Sequence, residues 1–254
     1  MNKHTELHVL RNSVMGAAAI MLTTAAIFGT MVQTVKASEL SNSETVKTEY
    51  AAKPTAAVDD SFEIDYTVLT EAGSPQADAN AVTANEAAKT GVQDLKRLYG
   101  MDSKGRTISM YYCPIGETCV RAEWLGNVSG SGDIEYYFSV DAVTGNISST
   151  CRNIKLNKKV NLGFDKSLME NPGEYRNLTI QAINDYKLLP GEVVSVEYGS
   201  QGYTIDNPDI QLRAVDVKGN EIQLSFSRYD QKILQVCYDN WVKAVKVLED
   251  KLDN

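Results

Sequence analysis

The pattern of apolar and polar positions changes period several times along the chain. An uncharged run fills residues 14–32, nineteen positions that span about 28 Å as a helix, enough to cross a bilayer. Residues 38–80 are rich in Ser, Thr, Ala, Asp and Glu with scattered prolines, which reads as a flexible polar spacer. Within that stretch Phe62, Ile64, Tyr66 and Val68 alternate with Glu63, Asp65 and Thr67, the period of one strand near 62–68 that adds to the edge of a folded part. Helical spacing follows in Ala84, Ala88, Val92, Leu95 and Leu98. Thr83 and Glu86 stand before it as a capping box, and Gly100 stands after it as a C-cap. The period then becomes two. Ile108, Met110 and Tyr112 alternate in one strand, 120–128 make a second around Trp124, 134–141 a third, and 146–151 a short fourth.

The same order returns. Asn171-Pro172-Gly173 marks a boundary, residues 174–189 read as a helix closed by Pro190-Gly191, and strands are predicted at 193–198, 211–217, 221–227 and 233–238. At an offset of 86 residues Ser139 falls on Ser225, Ile147 on Ile233 and Cys151 on Cys237. A duplicated unit explains both the element order and these identities. Trp241, Ala244, Val245, Leu248 and Leu252 then recur at helical spacing. The predicted fold is α+β: two tandem helix-plus-antiparallel-sheet units after an N-terminal hydrophobic helix (1–37) and a spacer (38–80). The first unit occupies 81–153. Residues 154–254 hold a linker, a divergent second unit and the C-terminal helix.

Composition narrows the function. With 43% hydrophobic and 23% charged residues the chain buries a core. Its 25 basic and 33 acidic residues give a net charge of −8, which argues against nucleic acid as a partner. Both histidines, His4 and His8, precede the hydrophobic run. The rest of the chain therefore cannot assemble a Ser-His-Asp triad, a Cys-His pair or a histidine-ligated zinc. Lys3 and Arg11 lie ahead of the run and Val35-Lys36-Ala37 behind it, the arrangement of an export signal cut after Ala37 or of a retained membrane anchor. Either outcome places the remainder outside the cytoplasm, secreted or held by a single N-terminal helix. Without residues 1–37 the charge is −10, from 22 basic and 32 acidic residues.

Cys113 and Cys119 bracket Pro114-Ile115-Gly116-Glu117-Thr118 between two strand-like stretches. A five-residue loop of this kind can face the two side chains for a disulfide, the alternative being two unpaired thiols. Acidic pairs such as Asp59-Asp60 and Glu249-Asp250 lack the alternating oxygen ligands of a calcium loop, and Asn207-Pro208-Asp209 is ordinary turn chemistry. No metal, cofactor or catalytic residue is assigned. Tyr111, Trp124 and Tyr136 lie on neighbouring strands, where alternation sends some aromatics into the core and leaves others to line a protein-binding surface.

The run Phe138-Ser139-Val140-Asp141-Ala142-Val143-Thr144-Gly145-Asn146-Ile147, following a helix and strands, resembles the PepSY domain family. In that pattern an aromatic or aliphatic strand runs into a V-D-A-x-T-G-x-I/V turn. The resemblance covers roughly residues 81–150 and makes Asp141, Thr144 and Gly145 turn formers. The second unit, roughly 173–238, departs from it with Ser227-Arg228-Tyr229-Asp230-Gln231-Lys232 where the turn should stand. Membership implies an exported, non-catalytic module. The expected function is then non-enzymatic binding or regulation in the cell envelope, restraining a peptidase or holding another envelope protein. The alternative is a structural or sensory envelope protein with no peptidase partner. The membrane is a partner through the N-terminal helix if that helix is not cleaved.

Overall fold

The computed structural model describes residues 65–243 and 245, apart from 116–118, 120, 129–132, 157–159, 161 and 204–206. The hydrophobic run, the cut after Ala37 and most of the C-terminal helix lie outside the described residues, although 239–243 are helical. Among the described residues no helix is long and apolar enough to cross a membrane.

The elements follow in the order β1 (Thr67–Thr70), α1 (Ala84–Tyr99), β2 (Thr107–Cys113), β3 (Glu123–Val128), β4 (Ile134–Asp141), β5 (Ile147–Ile154), α2 (Lys166–Glu170), α3 (Glu174–Tyr186), β6 (Val193–Gln201), β7 (Asp209–Asp216), β8 (Glu221–Ser227) and β9 (Ile233–Cys237). The class is α+β. Among the described residues nine strands join one sheet, in the order β1-β2-β3-β4-β5-β9-β8-β7-β6. Two four-strand meanders thus meet along an antiparallel seam between β5 and β9, where Ser149, Thr150 and Cys151 face Cys237, Val236 and Gln235.

Helix α1 starts where its capping box stands. The Thr83 N–H donates to Glu86 Oε2 at 2.8 Å and the Glu86 N–H donates to Thr83 Oγ1 at 3.2 Å, which satisfies two amides that the helix itself leaves open. Gly100 ends it at φ 65°. The helix buries Ala88, Val92 and Leu95 against Ile108, Met110 and Phe138. Contact is close because two glycines flank the Phe138 ring: a Cβ at Gly91 would lie 2.1 Å from it, and one at Gly126 2.0 Å. Helix α3 covers β6–β9 with Ile180 and Ile183. It stops at Tyr186, three residues before the sequence-predicted end. Lys187 turns left-handed at φ 51°, and Leu188 and Leu189 fold into the core instead of extending the helix. Asp165 caps the short α2, which hydrophobic spacing does not reveal.

Residues 62–64 of the edge strand predicted near 62–68 lie outside the described residues; the described strand there is β1, Thr67–Thr70, paired in parallel with β2. From residue 65 onward the stretch read as spacer is tied to the folded part. The Tyr112 N–H donates to Ser74 Oγ at 2.9 Å, the Tyr112 hydroxyl to Asp78 Oδ2 at 2.9 Å, and Trp124 Nε1 to the Val82 carbonyl at 2.8 Å. The spacer's described end is held by the pairing of β1 with β2 and by accepting from the amide and hydroxyl of Tyr112, and Val82 just beyond it accepts from the Trp124 ring.

One pattern of pairing recurs 86 residues apart. The β4–β5 ladder slips between Ser139 and Val140, and the β8–β9 ladder slips between Ser225 and Phe226. The turns that follow share their hydrogen bonds. The Asp141 N–H donates to the Asn146 carbonyl and the Gly145 N–H to the Asp141 carbonyl; in the second turn Ser227 donates to Lys232 and Gln231 to Ser227, all at 2.9 Å. Asp141 Oδ1 accepts from the amides of Val143 and Thr144, as Ser227 Oγ does from those of Tyr229 and Asp230. Gly145 sits at φ 71° and Gln231 at φ 60°. The second turn departs from the first in sequence and keeps its backbone, because a hydroxyl can replace the carboxylate as local acceptor.

Candidate binding face and the seam between the meanders

Residues directly opposite each other in a ladder share a face, so the register divides the sheet into two sides. Helices α1 and α3 lie on one side. Trp124 and Tyr136, read from the sequence as candidates for a protein-binding surface, belong to that covered side, at 4% and 8% exposure. Trp124 faces Val140 and Tyr136 faces Val128, which sends both rings into the core beneath α1. This corrects their assignment. Tyr111 lies on the other side, half-buried and directly opposite Leu125. Leu69, 53% exposed, pairs with Ser109 on that same side, and half-buried Tyr137 follows beyond Asn127. Alternation alone separates the two sets, but only the register shows which set each aromatic joins.

At the end of β2, Cys113 and Cys119 are joined in a disulfide with a Cα separation of 6.4 Å, and Ile115 in the bridged loop is 72% exposed. Asp141, Thr144 and Gly145 form the turn at the end of β4, and Asp141 also lies in a polar cluster. Arg121 Nε donates to Glu123 Oε1 at 3.1 Å, and its Nη1 stands 3.6 Å from Asp141 Oδ2. Burial pushes the Glu123 carboxyl up, against the pull of Arg121 in the other direction.

A second polar cluster crosses the seam. Asp94 of α1, 7% exposed, accepts from Arg97, from the Tyr238 hydroxyl at 2.8 Å and from Thr150 Oγ1 at 3.3 Å. Arg97 also donates to the Tyr186 carbonyl at the end of α3. Tyr99 donates its hydroxyl to the Thr150 carbonyl at 3.1 Å, and Arg152 lies 5.0 Å over its ring. Burial holds the Tyr238 and Tyr99 hydroxyls well above their ordinary value, with Asp94 next in effect on Tyr238 and Cys151 next on Tyr99. Sequence reading missed this cluster. Its one local signal is Asp94 on the buried face of an amphipathic helix, three residues before Arg97.

Away from the helices the seam presents Ser149 and Gln235 with Cys151 and Cys237, both free thiols. Cys237 is fully buried and Cys151 half-buried. Burial and, next, Asp209 push the Cys151 thiol up to about 12. Burial holds the Cys237 thiol well above its usual value, with Cys151 adding to the effect. Among the described residues no three or more His, Cys, Asp or Glu side chains gather as a metal-binding group.

No protein-family model matches the chain, and no curated protein is significantly similar to it. Among solved structures the chain is similar to the Bacillus megaterium YpeB C-terminal domain, at 12% identity and a TM-score of 0.40. The match covers 65% of this chain and 66% of that one.

Proposed function

We propose that the part beyond residue 37 is a non-enzymatic binding or regulatory module of the cell envelope, built from two PepSY-like units. On this reading unit 1 spans 81–153, and a divergent unit 2 lies within 154–254. Recurrence of ladder slip, turn hydrogen bonds and positive φ at an offset of 86 residues supports the duplication. The Cys113–Cys119 disulfide suits an extracytoplasmic compartment. The observation that carries a binding role is the side of β1–β3 away from α1. There Leu69, Tyr111 and Leu125 stand together, with Leu69 more than half exposed, and β1 is an edge strand of the sheet among the described residues, a place where another strand can add. The clustered charges serve other ends: buried Asp94 with Arg97 ties the two meanders together, and Arg121 with buried Glu123 braces a turn.

The partner we propose is an extracytoplasmic peptidase or another envelope protein. Immobilised chain should retain such a protein from the culture fluid of the same cells, and a retained peptidase should be slowed by added free chain. Tyr111→Ala and Leu125→Asp should abolish retention with little change in melting temperature. Retention that is undiminished in both variants would remove this face from the proposal. A structural or sensory role without a peptidase partner is favoured if no protein is retained at all.

A further inference from the structure

Cys151 and Cys237 are 86 residues apart in sequence and meet at the seam. Thr150 faces Val236, so the local two-fold axis of this antiparallel pair passes between those two residues and exchanges Cys151 with Cys237 and Ser149 with Gln235. Thr150 points toward the helices, where it meets Asp94 and Tyr99. The four exchanged side chains therefore surround the axis on the opposite side of the sheet. The two thiols occupy one diagonal of that square.

A diagonal across an antiparallel pair separates Cα atoms by about 7–8 Å, with the Cβ atoms somewhat nearer. That is beyond the about 7 Å limit for a disulfide, which accounts for two free thiols in a chain whose other two cysteines are bonded. A single ion on the axis is a different matter. Two thiolates at about 2.3 Å from one ion stand about 4.6 Å apart, a spacing that side chains on the diagonal can reach. Both sulfurs approach such an ion equivalently, as linear two-coordinate binding requires. Thiolates select soft cations, copper(I) among them.

We infer that Cys151 and Cys237 form a two-thiolate site for a soft monovalent cation of the copper(I) class, centred on the two-fold axis of the β5–β9 seam. The ion arrives at half-buried Cys151 and completes its shell at buried Cys237. Each thiol gives up its proton as its bond to the metal forms, so one cation binds and two protons leave, with no change of oxidation state. The occupied site ties the two meanders together.

The test uses the full chain with its Cys113–Cys119 disulfide intact. Silver(I) serves as a probe that does not change oxidation state, followed by anaerobic copper(I) in competition with a chromogenic chelator. The expected result is one ion per chain, a thiolate-to-metal band in the near ultraviolet, two protons released per ion, and a higher melting temperature. Cys151→Ser and Cys237→Ser should each weaken binding at least about tenfold, and Cys151→Ala and Cys237→Ala should do the same if serine disturbs the buried site. The double variant Cys113→Ser with Cys119→Ser should bind as the parent does. Absence of the thiolate band, or a band that survives loss of both Cys151 and Cys237, overturns the inference. Any ion held by His4 or His8 lacks that band and counts against the site when it accounts for all the binding.

Discussion

A methyl group added at Gly91 would stand 2.1 Å from the Phe138 ring, which Gly126 on β3 also crowds. Neither the ring nor the helix backbone has a side to retreat to, because Phe138 is fully buried. Gly91→Ala should therefore destabilise the protein by about 1–3 kcal/mol through overpacking, although alanine is the better helix former. Gly163→Ala is the control. Nothing lies within 4 Å of the Cβ it would add, so its urea midpoint should stay near that of the parent. If Gly91→Ala matched this control, the close approach of α1 to β4 would be wrong.

The α1 capping box makes its element sensitive to both substitution and pH. Thr83→Ala removes the acceptor for the Glu86 amide and should cost about 1 kcal/mol. Hydrogen bonds from the Thr83 amide and hydroxyl hold the Glu86 carboxyl below its ordinary value of 4.5. A carboxyl lowered in the folded state contributes stability that is present above its unfolded value and is lost as pH falls through the folded one. Stability measured downward from pH 5 should thus decline less steeply in Glu86→Gln than in the parent. A parallel decline in the two proteins would show that the carboxylate does not cap the helix. On the β2–β3 connection, reducing the Cys113–Cys119 bond should lower stability by only about 2 kcal/mol, because the closed loop is short. Urea unfolding with and without reductant measures it, and complete unfolding on reduction would give the bridge a larger part than its loop length allows.

At the scale of the molecule, the two cores are joined along a three-pair ladder, by Leu98 and Tyr99 at the end of α1, and by the Asp94 cluster. Asp94→Ala leaves Arg97, Tyr238 and Thr150 without their shared acceptor. The loss should approach about 3 kcal/mol, the low end for breaking a buried pair, because the Arg97 side chain is 36% exposed. Asp94→Asn keeps an acceptor and should cost less. Hydrogen exchange in β6–β9 should rise along with that in β2–β5. A rise confined to β2–β5 would mean that the cluster stabilises one meander only.

Much of the element order is legible locally. Period-two stretches with turn residues between them mark β2, β4 and β8, and Thr83, Glu86 and Gly100 bracket α1, because capping and alternation depend on residues a few positions apart. The same reasoning misplaces the end of α3. Whether Leu188 and Leu189 extend a helix or fold into a core depends on what lies opposite them, and neighbours in sequence do not show that. Composition by itself removes histidine chemistry from everything beyond His8. It does not assign Trp124 to the core and Tyr111 to the far side, since alternation divides a strand into two faces without saying which one a helix covers. Nor does it bring Asp94 to Tyr238 or Cys151 beside Cys237. Each of those pairs is separated by more than eighty residues, and only the closing of two meanders into one sheet at the β5–β9 seam makes them neighbours.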